Sequence, residues 1–122
     1  MATAMDRLVD LVARLPETQR VDVVEWGDHP TFRVRDKTFV FSSADATSMT
    51  VKLAHDEAEA VVATRDGATP AGYGLGRHGW VNIVVPAAPT DEEWAEIAEW
   101  VATSYRMVAP KRLARLLDEP PA

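Results

Sequence analysis

A chain of 122 residues with 47% hydrophobic and 26% charged side chains is sized for one compact domain with its own core. It has no cysteine, which excludes a disulfide scaffold, a thiolate metal site and a cysteine nucleophile. Its formal net charge of −6 is opposite in sign to that of most non-specific nucleic-acid binders, whose affinity comes from neutralising phosphate.

Met5, Leu8, Val9, Leu11, Val12 and Leu15 recur at helical spacing, with Asp6, Arg7, Asp10 and Arg14 opposite. Thr3 can cap this stretch and Pro16 stops it, so a helix is expected over Ala4–Leu15. The alternation of charge and apolar residues there is not that of a signal peptide. No apolar run reaches the roughly 18–20 residues that span a bilayer, so the expected compartment is the cytoplasm. Val21–Trp26 is β-branched and reads as a strand, followed by a turn at Gly27-Asp28-His29-Pro30. Thr31–Arg35 alternates, with Phe32 and Val34 on one side. A polar break at Arg35-Asp36-Lys37 leads into a returning strand, Lys37–Ser42, with Phe39 and Phe41 expected on one face. After a loop at Ser43–Thr47, Ser48–Leu53 alternates again, with Met49, Val51 and Leu53 inward. These segments make an antiparallel meander of three or four strands.

His55–Arg65 reads as a short helix. Asp66–Gly79 carries five of the six glycines and reads as a loop, and Trp80–Val85 is a strand. Thr90 and Glu93 form a capping box ahead of a long helix whose buried stripe is Trp94, Ile97, Ala98, Val101, Tyr105 and Val108. Pro110 interrupts, and Lys111–Leu117 is a separate short helix. Pro120 and Pro121 end the ordered chain. Neither a repeat nor a second domain is visible, so residues 1–122 form one domain with an ordered core over about 4–117. Strands that run together between helices imply an α+β two-layer sandwich, an antiparallel sheet with helices packed on one face. The other face can stay in water.

Four separated segments fit one pattern. They are Glu25-Trp26-Gly27-Asp28-His29-Pro30-Thr31-Phe32-Arg33-Val34, then Val51-Lys52-Leu53, then Ala71-Gly72-Tyr73-Gly74 with Gly79-Trp80-Val81, then Ser104-Tyr105 ahead of a basic C-terminal stretch. Over about residues 5–117 the chain resembles the MmcQ/YjbR family. That resemblance implies a fold similar to the bacterial frataxin CyaY, and a DNA-binding role through a double-wing arrangement.

Positive charge gathers in residues 31–53 and in the C-terminal segment, away from the acidic helices. The outward positions of the meander carry Arg33 and Lys52, with Arg35 and Lys37 at the hairpin tip. With Arg77 in the glycine-rich loop and Arg112 and Arg115 near the C-terminus, these are the candidate phosphate contacts. The competing reading of the same residues is a solvated sheet face with scattered cations. An alternative function is a small-molecule or protein-binding module using Trp80, Asn82, Trp26 and Tyr73 as a platform. The glycine-rich loop lacks the Lys-Ser/Thr of a nucleotide-binding loop and precedes a strand rather than a helix.

The acidic face formed by Asp91, Glu92, Glu93, Glu96 and Glu99 spreads over too many turns to close around a metal. His29, His55 and His78 lack ligand spacing, and no serine stands in a nucleophile motif. The expectation is therefore a non-enzymatic protein with no metal, cofactor or membrane partner. It is expected to be a monomer, with Trp100 and Met107 packing under the last helix or, failing that, forming a dimer patch.

Overall fold

The computed structural model describes residues 3–72 and 74–117, with Trp26 described by its backbone alone. Helix α1 spans Ala4–Ala13. The Thr3 hydroxyl accepts from the Asp6 N–H at 3.1 Å and the Asp6 carboxylate accepts from the Thr3 N–H at 3.0 Å, which satisfies two otherwise orphaned donors. Leu8 and Val12 are its buried residues. The helix stops two residues short of the expected Leu15, whose N–H still bonds to the Val12 carbonyl.

Six strands follow among the described residues: β1 (Thr18–Val23), β2 (His29–Val34), β3 (Lys37–Ser42), β4 (Ser48–Lys52), β5 (Ala68–Pro70) and β6 (Trp80–Val84). They form one sheet in the order β1-β2-β3-β4-β6-β5, with every neighbouring pair antiparallel. Helix α2 (His55–Thr64) separates β4 from β5, and α3 (Asp91–Val108) and α4 (Lys111–Leu116) close the chain. The result is the expected α+β sandwich, an antiparallel sheet with its helices on one side. The core between the layers holds Phe32, Val34, Phe39, Val40, Met49, Val51, Val81 and Ile83 from strands, with Trp94, Ile97, Trp100, Val101 and Tyr105 from α3.

Four local readings change. The first strand begins at Thr18 rather than Val21, because pairing with β2 from Thr18–Val34 to Val23–His29 overrides its polar composition. Its expected end, Val24–Trp26, is instead a tight 3-10 turn closed by Gly27 at φ 78°. The glycine-rich segment contains a strand, β5, and a second 3-10 turn, Leu75–His78.

The fourth change is a β-bulge. Between Phe32 and Arg33 the register of β2 with β3 shifts by a residue. Phe39 and Val40 both turn to the core, and Phe41 pairs with Thr31 on the opposite face. Phe39 meets Tyr105 edge-to-face, with ring centroids 5.4 Å apart. Phe39 and Phe41 are therefore not on one face.

Helix α3 buries a wider stripe than its periodicity suggests. Trp100 is 8% exposed and belongs to the core, while Met107 is 43% exposed. Pro120 and Pro121 lie outside the described residues.

Candidate functional site

The strand register sets Val21, Thr31, Phe41, Thr50, Asn82 and Thr69 in one row across the uncovered face. Arg33, Lys52 and Trp80 lie two residues along their strands, on the same side. The Thr31 hydroxyl donates to the Val21 carbonyl at 2.6 Å, and the Arg33 Nε donates to that hydroxyl at 3.1 Å. Arg33 is thereby held down along the sheet. The Thr50 hydroxyl bonds to the Asn82 Oδ1 at 2.6 Å, which fixes the orientation of the carboxamide. Phe41 and Trp80 meet edge-to-face at 5.6 Å.

Over this row lies a groove of about 620 Å³ lined by His29, Phe41, Thr50, Ala71, Gly72, Leu75 and Asn82. Its upper wall is the segment after β5. That segment is seated by Gly79, at φ 88°, where an added Cβ would stand 2.2 Å from the Leu53 carbonyl oxygen. The Leu53 N–H donates to the Gly79 carbonyl at 2.9 Å, so the wall is fastened to the end of β4. Only glycine fits this approach.

The candidate cations divide among separate places. Arg33 and Lys52 are half-buried on the open face beside the groove. Lys37 begins β3 and is exposed. Arg35, in the hairpin turn, is committed to Glu17 through bonds of 2.7 and 3.2 Å, and Arg112 of α4 approaches the same carboxylate at 3.9 Å. The hydrogen bond from Arg35, with the nearby charges of Arg35 and Arg112, holds the Glu17 carboxyl below its ordinary range. Arg77 sits in the 3-10 turn with its guanidinium folded toward Gly74. Arg115 is exposed on α4.

Of the alternative platform, Trp80 and Asn82 are on the open face. Tyr73 lies outside the described residues, as does the side chain of Trp26. Phe41, which lines the groove, is the residue sequence reasoning misplaced. Its signal was available: Phe39-Val40-Phe41 is three consecutive apolar residues in a strand otherwise expected to alternate.

The open face of the sheet carries Arg33 and Lys52 and no acid. Among the described residues the six strands hold Arg20, Arg33, Lys37 and Lys52 against a single acid, Asp22. Asp22 pairs in register with Pro30, on the helix side, and is bonded to Arg20 at 2.8 Å. No strand position on the open face is acidic. The acids cluster on α2 and α3 instead. Among the described residues no group of three or more His, Cys, Asp or Glu is placed to hold a metal ion. None of the described helices is long and apolar enough to cross a membrane.

The YjbR family model matches residues 13–107 of the chain. The fold is similar to the crystal structure of protein DR2400 of Deinococcus radiodurans, which carries the DUF419 domain. The likeness has a TM-score of 0.65 at 19% identity and covers 98% of this chain and 91% of that one. No curated protein matches the chain in sequence.

Proposed function

The chain belongs to the YjbR family, and from the open face of its sheet we propose that it binds single-stranded nucleic acid. The carrying observation is one groove that joins an aromatic wall to a sheet face free of acids and flanked by cations. A base can lie against Phe41, which Trp80 backs edge-to-face. The carboxamide nitrogen of Asn82, left over when Thr50 takes its oxygen, supplies a donor to a base edge. Arg33 and Lys52 then meet the flanking phosphates. Each base stacked in this way contributes about 1–3 kcal/mol with little sequence preference.

Duplex DNA is the poorer fit. Reading a duplex groove takes a protruding helix or ribbon, and this surface is concave. Of the exposed cations, Arg35 and Arg112 are drawn together onto Glu17.

Fluorescence anisotropy with labelled oligothymidine and a matched duplex tests the reading across a salt series. Two phosphate contacts give a slope of log affinity against log salt of about −1.4 for a single strand. Phe41→Ala is expected to weaken binding at least about five-fold, in line with one lost stack. Lys52→Glu weakens it and flattens the slope, whereas Arg115→Glu on α4 leaves both unchanged. Preferential duplex binding that depends on Arg115, or no oligothymidine binding at low salt, would overturn the proposal.

A further inference from the structure

The two edges of the sheet are built differently. At one end β5 is three residues long and finishes on Pro70, which cannot donate to a further strand. At the other end β1 runs six residues in unbroken register with β2. It contains no proline or lysine, and its two charged residues, Arg20 and Asp22, are of opposite sign. Among the described residues no strand pairs with its outer side. Val24, just beyond its end, is 73% exposed.

The charges of β1 then select a partner. Arg20, Val21 and Asp22 form a charge palindrome about Val21. Suppose a second copy of β1 pairs antiparallel with Val21 facing Val21 across a two-fold axis. Arg20 of each copy then stands opposite Asp22 of the other, and Gln19 opposite Val23. An axis at Arg20 or at Asp22 would instead set like charges face to face, which is destabilising. Registers offset by one residue place each charge opposite a neutral side chain and put the helix layers on opposite faces of the joined sheet.

We propose that the protein forms a two-fold homodimer through β1–β1 pairing centred on Val21. The joined sheet carries all helices on one side. Both open faces, with Val21 of each copy between them, form one continuous surface. The Arg20–Asp22 contact of 2.8 Å within each chain holds the two charges in place for this exchange. Such an isologous edge closes on itself and does not propagate into fibres. The inference stands on the edge alone and is independent of what the groove binds.

Sedimentation velocity across the micromolar range, without any oligonucleotide, tests it. The expected species is twice the mass of the 13.4 kDa chain. R20D and D22R each put like charges across the axis, and each is expected to sediment as a monomer with an unchanged far-ultraviolet circular dichroism spectrum. Mixed in equal amounts, the two variants present opposite charges at both positions and are expected to recover the doubled mass. A wild type that stays monomeric throughout, a dimer that survives either single variant, or variants that fail to associate on mixing would each overturn the proposal.

Discussion

Asp36 occupies the second position of the β2–β3 turn at φ 65°, and Arg35 the first at φ 50°. Two consecutive left-handed residues suit the right-handed twist of a hairpin, but that conformation costs roughly 1–2 kcal/mol at a residue with a Cβ. Arg35 is held there by its paired bonds to Glu17, itself left-handed at φ 57°. Asp36 is the place where strain can be removed without touching that contact. Asp36→Gly is expected to raise stability by about 0.5 kcal/mol, the relief of strain outweighing the flexibility given to the unfolded chain. Urea unfolding should show a higher midpoint at unchanged slope. A lower midpoint would mean that the Asp36 carboxylate supports the turn. The sequence marked this turn by polarity and the ends of two alternating runs. Its left-handed geometry was not legible, because neither residue is glycine or asparagine.

Helix α3 crosses the sheet beside the bulge and is bonded to it. The bulge takes Phe39 out of the regular ladder with β2, and such a residue leaves backbone groups to be satisfied elsewhere. Ser104 does this. Its hydroxyl donates to the Phe39 carbonyl at 2.6 Å and accepts from the Lys52 N–H at 2.8 Å, so one buried side chain of α3 ties β3 to β4. Ser104→Ala strands a carbonyl and an amide, at a cost of about 2–3 kcal/mol. Chemical denaturation followed by tryptophan fluorescence measures it, and a loss below about 0.5 kcal/mol would show that the two groups find other partners. Helix existence and the main strands were legible because long periodic stretches such as Trp94–Tyr105 leave few alternatives. Strand β5 was not. Ala68-Thr69-Pro70 has little strand character, and only its pairing with β6 makes it one. The groove inherits both difficulties. Phe41 is turned outward by the bulge, and the upper wall follows a strand that the sequence does not announce.

Across the whole molecule, the net charge of −6 and a nucleic-acid ligand are compatible because the open sheet face carries Arg33 and Lys52 and no acid, while the acids of α2 and α3 lie in the helix layer. The acids of α3 lie behind the sheet, on the far side of β3 and β4 from Phe41 and Lys52. Their repulsion of a phosphate in the groove must act through the thickness of the fold. The screening length is about 8 Å at physiological ionic strength and about 30 Å at 0.01 M. Repulsion from the helix layer is thus largely screened in the first condition and felt in the second. Lys52 and Arg33, close to the ligand, act in both. Glu92 and Glu99 are exposed on α3 and lie outside the core. Neutralising both, as E92Q/E99Q, is expected to raise oligothymidine affinity about two-fold at 0.01 M salt and to leave it unchanged near 0.15 M. Lys52→Glu is expected to lose affinity in both conditions. Anisotropy titrations of the two variants at the two salt concentrations separate the cases. An equal gain for E92Q/E99Q at both would place the ligand against the helices and away from the open sheet.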